Sequence, residues 1–166
     1  VTTAVTLGDL TNSAKLQLGD AAGISNQTIG ELSVSGTGTS NAIVGGNASL
    51  STLTVNQSTV TTFSGNLGGA GVNENNLNFV KSGAGNLVLT GTSTYIGSTT
   101  VSGGKLYIDA AGALPSTSAG LTVADGAELA LRGTSNLANV VYGFSGTGNK
   151  ITIGSSGTAL LGFGLD

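Results

Sequence analysis

Cysteine, histidine, methionine and tryptophan are absent from this chain of 166 residues, and proline occurs once, at Pro115. Without cysteine there is no disulfide, no thiolate metal ligand and no cysteine nucleophile. Without histidine, a Ser-His-Asp triad and imidazole metal sites are excluded as well. The lack of thiols is compatible with export, and a single proline rules out a proline-rich linker or a collagen-like chain. Charge is nearly as scarce. Only 8% of residues are charged, against roughly 25% in average globular proteins. The five bases, Lys15, Lys81, Lys105, Arg132 and Lys150, are dispersed, and no basic stripe exists to neutralise phosphates, so nucleic acid is not an expected partner. No apolar run reaches the roughly 18 residues that a membrane-spanning helix needs, so direct membrane insertion of this segment is not expected. Aromatic residues make up 4%, which leaves a core of Val, Leu, Ile and Ala.

Glycine, with 29 residues, and Ser, Thr and Asn fill the space that charge leaves. Between the glycines run short stretches in which apolar and polar residues alternate, the mark of a strand with one buried face. Six such triplets are Leu16–Leu18, Leu32–Val34, Leu53–Val55, Leu87–Leu89, Leu106–Ile108 and Leu129–Leu131, with Leu121–Val123 and Ile151–Ile153 as further members. The steps from Leu32 to Leu53, Leu87 to Leu106, Leu106 to Leu129 and Leu129 to Ile151 are close to one another in length. They recur at roughly twenty residues, the short end of solenoid periods. Helices are disfavoured because glycine costs about 1 kcal/mol relative to Ala in a helix, while Thr and Val prefer strands. The best helical candidate, Asp109–Leu114, carries Gly112 and reads as a turn. The fold class is therefore all-β, a parallel β-helix with rungs of about 20 residues. A β-sandwich is the rival, disfavoured by strands shorter than the usual five or six residues and by an internal repeat it does not need.

The stretch 77–106, LNFVKSGAGNLVLTGTSTYIGSTTVSGGKL, is the most regular part. It resembles the autotransporter-associated β-strand repeat of passenger regions in large exported proteins of diderm bacteria. Lys81, Gly83, Gly85, Leu87, Leu89, Thr90 and Gly91 carry the first half of that pattern, after an apolar lead-in at Val80. Tyr95, Gly97, Thr99, Val101, Gly104 and Leu106 carry the second. Ser93 stands where the pattern usually has Asn. Weaker similarity extends from Phe63 to Arg132. The resemblance implies a right-handed parallel β-helix in a cell-surface or extracellular passenger; it does not imply a catalytic activity. The chain, opening at Val1 without a Met or a signal segment, reads as a single β-helical segment (residues 1–166) of a longer exported protein.

Candidate chemistry is sparse. The acids are Asp9, Asp20, Glu31, Glu74, Asp109, Asp125, Glu128 and Asp166. A glycosidase needs two carboxylates flanking the bond, and the nearest pair is Asp125 with Glu128, the first in a turn and the second opening a strand. Asp109 stacked near Asp125 is a weak calcium candidate. The glycine pairs Gly45-Gly46, Gly68-Gly69 and Gly103-Gly104 lack any phosphate-loop context. Asn26, Asn47 and Asn56 each begin an Asn-x-Ser/Thr triplet, expected by chance in so Ser/Thr-rich a chain. Tyr95, Tyr107 and Tyr142 are the only tyrosines, few for sugar stacking. Lys81 and Tyr95 read as positional features of the turns. No catalytic, cofactor-binding or metal residue is assigned, and no ligand-binding residue is identified. Residues 65–78, GNLGGAGVNENNLN, interrupt the alternation longest, which predicts a loop projecting from the coil, with Glu74 and Asn73–Asn76 as its candidates for binding.

The expected role is a non-enzymatic structural or adhesive segment whose partners are host or cell-surface ligands. The alternative is a self-assembling subunit of an extracellular filament, since both termini, Val1–Leu7 and Ala159–Leu161, are strand-like and carry no charged or proline-blocked cap. A carbohydrate-binding or carbohydrate-active β-helix is the rival from another class.

Overall fold

A computed structural model describes residues 3–110, 112–115, 119–131, 151–153 and 160–163. Arg132, Tyr142, Lys150, Ala159 and Asp166, like Val1 and Thr2, lie outside the described residues. Every strand-to-strand pairing is parallel, and among the described residues there is no α-helix. The chain winds as a β-solenoid. The first coil comprises β1 (Val5–Leu7), β2 (Lys15–Leu18) and β3 (Gln27–Ile29). The second comprises β4 (Leu32–Val34), β5 (Ala42–Gly45) and β6 (Ser51–Asn56), and the third β7 (Val60–Phe63), β8 (Asn66–Leu67) and β9 (Leu77–Ser82). Later coils carry two strands each: β10 (Asn86–Leu89) with β11 (Thr99–Val101), β12 (Lys105–Ile108) with β13 (Leu121–Val123), and β14 (Glu128–Leu131) with β15 (Ile151–Ile153). β16 (Leu160–Phe163) stacks last.

Stacking these coils makes three walls. One is the six-stranded sheet β3-β6-β9-β11-β13-β15; a second holds the pair β1-β4 and the sheet β7-β10-β12-β14-β16, with β4 packed beside β7; the third is the short sheet β2-β5-β8. All eight alternating triplets of the sequence fall within strands. Their spacing, however, mixed two walls. Leu32 pairs with Val5, whereas Leu53 pairs with Gln27 and Phe79; likewise Leu129 pairs with Leu161, and Ile151 with Leu121. Side chains that bond across one coil step measure its true length. Thr6 and Ser33, in register between β1 and β4, join hydroxyls with a separation of 27 in sequence. Thr52 and Asn78, in register between β6 and β9, have a separation of 26. From Asn78 to Ser98, beside the register pair Phe79 and Thr99, the separation drops to 20. The shorter period thus belongs to the coils that follow residue 77 as far as β14; from Leu121 to Ile151 and from Glu128 to Leu160 the step is long again.

The core is a set of rows running up the stack. Leu53, Phe79 and Leu121 form one row, with Thr99 in register, and Leu87, Leu106 and Leu129 form another; all are buried. No coil could bury its own inward row, so each wall is completed by the next coil. The walls meet at tight turns between β9 and β10 and at the equivalent places above and below. Gly83 adopts φ 75 there, a conformation that side chains rarely tolerate. Farther round, a Cβ on Gly91 would run into the Gly65 carbonyl oxygen, so the backbones of successive coils touch at that point.

Candidate functional site

The stretch 65–78 does not project as the sequence led one to expect. It begins with β8 inside the third wall and ends in the first residues of β9, and between the two it folds back across the coils. Glu74 O accepts from Gly45 N at 3.0 Å, and the Glu74 carboxylate pairs with Lys15 Nζ at 2.5 Å while accepting from Gly71 N at 2.9 Å. Lys15 and Asn66 flank Ala42 in register, so this ion pair reaches across β5. Ala42 and Val44 alternate with the core residue Ile43 and therefore point outward, yet both are buried. The Asn76 amide donates to Asn47 O at 2.9 Å and Ala48 O at 3.1 Å, and Asn73 adopts φ 63. Glu74 and the asparagines thus pin the segment down. Its apex is Val72, 90% exposed. The Lys15 ammonium holds the Glu74 carboxyl below its usual range, helped by the Gly71 amide.

A second concentration of polar groups follows the turns between the first and second walls. Glu31, between β3 and β4, accepts from Ser58 N at 3.1 Å, Ser58 Oγ at 2.5 Å, Thr59 N at 3.1 Å, Thr59 Oγ1 at 2.9 Å, and Gln57 Nε2. Donors converging on a carboxylate favour its charged form, and the Ser58 hydroxyl is the main cause of a lowered Glu31 pKa. Gln57 is fully buried; its Nε2 also donates to Thr61 Oγ1 at 2.7 Å, while its Oε1 has no hydrogen-bond partner. One coil on, Lys81 is fully buried in a row otherwise formed by Ile29, Val55, Val101 and Val123.

The other sequence candidates do not assemble. Asp125 lies in a turn and Glu128 opens β14, as their residues predict, but Glu128 is ion-paired to Lys105 at 2.8 Å. Among the described residues no three acids converge on a site for a cation, and Asp109 with Asp125 forms no such group. Asn26 Oδ1 accepts from Thr52 N at 2.8 Å, and Asn47 Nδ2 donates to Asp20 O at 2.7 Å, so both asparagines tie neighbouring coils together. Tyr95 is wholly buried, its ring 6.4 Å from that of Phe79 and its hydroxyl 2.5 Å from Thr99 Oγ1. Ser93 is buried, and its N–H donates to Gly112 O at 2.7 Å. The Glu31–Gln57 contact was missed from the sequence because its partners stand a whole long coil apart, a spacing that the shorter apparent period obscured.

Comparison with known proteins assigns the repeat. Neither the curated proteins nor the solved structures provide a match to this chain. The family model described as passenger-associated-transport-repeat matches residues 79–108. That segment runs from the inward Phe79 through Lys81 and Tyr95 to the end of β12, one complete short coil together with the strand that opens the next. The match at residues 79–108 supports the resemblance to the passenger repeat that their glycines, Lys81 and Tyr95 carry.

Proposed function

We propose that this chain is a non-enzymatic, exported β-solenoid segment of a bacterial surface protein, acting as a rigid spacer and adhesive surface. The observation that carries the reading is the joining of a passenger repeat at 79–108 to coils that continue its walls on both sides. Polar groups support it by their use. Glu31, Glu74, Asn26, Asn47 and Asn76 all bind neighbouring coils, so their chemistry goes into holding the stack together. At about 4.8 Å per coil, such a segment adds length along one axis in proportion to its coil number.

The adhesive half is tested with beads coated with the purified segment. Binding to host epithelial cells or to polysaccharide-coated surfaces above that of albumin-coated beads supports adhesion. Equal binding leaves the spacer alone. Release of sugar from a polysaccharide panel would overturn the non-enzymatic reading.

A second reading rests on the strands β1, β2 and β3, which stand at the open edges of their sheets. Unpaired strand edges accept further strands, and those strands come from preceding coils of a longer chain or from a second copy. Light scattering with electron microscopy separates these. Filaments of uniform width support assembly between copies, and a concentration-independent monomer rejects it.

A further inference from the structure

Position 81 occupies a place where every neighbour in register is a branched apolar residue: Val55 below it, Val101 above. A lysine there is buried to 0% exposure, and its head does not reach solvent. Instead Lys81 Nζ donates to Ser82 O at 2.8 Å, Gly103 O at 3.0 Å and Gly83 O at 3.1 Å. An ammonium has three protons, and three carbonyl oxygens from two successive turns receive them. Neighbouring turns along the seam differ at the equivalent position, where a Cβ on Gly83 would run into Gln57 O and Asn56 Oδ1 of the turn below. Gln57 and Gly83 are equivalent positions, each following the paired residues Asn56 and Ser82; the Gln57 side chain is buried in its own turn, whereas Gly83 has no side chain at all. Ser82 O also accepts Gln57 N at 2.9 Å, so the two turns share one acceptor. The Gln57 side-chain oxygen, buried without a donor, adds a further unspent acceptor to the seam.

We propose that the corner between β9 and β10 is a cation site built from the carbonyl oxygens of Ser82, Gly83 and Gly103, in which the Lys81 ammonium is a tethered occupant and a free primary alkylammonium ion is a substitute ligand. Convergent main-chain oxygens in a dry corner must be given donors or left at a cost, and a cation with three N–H groups satisfies them together. The bond to Gly103 ties the turn of one coil to the next, so Lys81 is a positioning residue for the joint at which the coils shorten. Burial pushes the Lys81 pKa down to about 8, partly offset by the Glu31 charge, so the ammonium form prevails at neutral pH. This inference is independent of what the surface binds.

Lys81→Ala removes a propylammonium-sized group and keeps the Cβ. Thermal unfolding of that variant is measured in propylammonium chloride, in tetramethylammonium chloride and in 1-propanol at equal concentration. The Tm of the variant lies below that of the parent chain, and propylammonium raises it in proportion to the logarithm of concentration. Tetramethylammonium, which has no N–H, and propanol, which has no charge, leave it in place. The parent chain, its site filled, does not respond. Should the variant fail to fold in sodium chloride, the readout is the yield of folded protein on refolding with propylammonium. Equal shifts with all three solutes, no recovery with propylammonium, or a Lys81→Met variant as stable as the parent would each overturn the site.

Discussion

Coils before residue 77 and the short coils that follow it, as far as β14, solve the same packing problem differently. The early ones step by 26 or 27 in sequence on two walls and carry a third wall of real strands, β2, β5 and β8. The step shortens to 20 between Asn78 and Ser98, and no described strand continues the third wall beyond β8. Residues 91–97 take its place. They alternate strictly, with Gly91, Ser93, Tyr95 and Gly97 buried and Thr92, Thr94 and Ile96 exposed, although they form no ladder. A wall can therefore be held from inside by one large ring. In the short coil the small Ser93 stands over Leu67, the Thr94 N–H bonding Leu67 O, and the buried Tyr95 ring two residues on is the large side chain of this stretch. The short coil spends glycine and one tyrosine where the long coil spends strands and polar clasps.

Excision sets the two designs against each other most severely. Removing residues 86–104 takes out one short coil and joins Gly85 to Lys105, whose register position Asn86 held. A repeat architecture tolerates loss of a whole unit, so the β signal in circular dichroism and a cooperative unfolding transition persist. Removing a segment of the same length from the long coils, 53–71, leaves a remainder that matches no register, and the cooperative transition is lost. Removing 51–76, a complete long coil by the Ser51 to Leu77 register, restores it. Survival of the 53–71 excision with an unchanged transition would show that coil length is not what the register enforces.

Next in size is the interior ring. Tyr95→Ala costs about 3–5 kcal/mol, the range for losing a buried aromatic side chain. Ile43→Ala in the stranded wall costs about 2–4 kcal/mol on the same basis. Tyr95→Phe removes the contact with Thr99 Oγ1 and costs about 1 kcal/mol. Urea unfolding of the three variants ranks them, and an Ile43→Ala loss exceeding that of Tyr95→Ala would deny the ring its role as a substitute wall.

Much of this was legible in the residues, for a physical reason. A strand with one buried face must alternate, so the triplets Leu53–Val55, Leu87–Leu89 and Leu106–Ile108 declare themselves wherever they lie. The short coil was legible as a unit, because glycine turns and Tyr95 mark its corners. Coil length in the first half was not. Gln27–Ile29 and Val60–Phe63 show one apolar residue or an exposed valine among polar ones, and the apolar run Ala42–Val44 is buried on both faces. With those strands unseen, Leu32 and Leu53 looked like successive rungs. Residues 65–78 misled for the same reason that Glu74 is useful: polarity suggests solvent, but a carboxylate can be spent on Lys15 two coils away. Lys81 reads as a turn residue by its place in the motif, yet only the fold shows its ammonium inside.

Acid and alkali probe the two regions by different groups. Glu31 and Glu74 belong to the long coils, and both have folded pKa values below 4.5. Their contribution is present above pH 4.5 and lost as pH falls through the lower folded values. Lys105, paired with Glu128 in the short coils, has its pKa raised above 10.5, so its contribution is lost only as pH rises beyond that value. Lys81, lowered to about 8, has the opposite sign. Between about 8 and 10.5 the unfolded chain binds the proton that the folded chain has released, and stability rises with pH. Tm is therefore expected to fall below pH 4.5 and to climb between about pH 8 and 10.5, the climb vanishing in Lys81→Met. A flat alkaline limb in the parent chain would mean that the three carbonyl bonds offset the burial of the Lys81 ammonium.

The smallest effect is the most local. The Lys15–Glu74 pair is solvent-accessible on the lysine side, with 51% of that side chain exposed, and pairs of this kind add little to global stability. Glu74→Gln should leave Tm within error, yet it loosens the segment lying over β5. Hydrogen exchange reads that directly, because Gly45 N–H is held by Glu74 O and Asn66 N–H by Asn41 O. Exchange at Gly45 should quicken several-fold while Asn66, inside the wall, keeps its protection. Equal protection at both amides after the substitution would mean that the backbone bond and Asn76 suffice to hold the segment. The long coil would then keep its outer cover without charge, as the short coil keeps its third wall without strands.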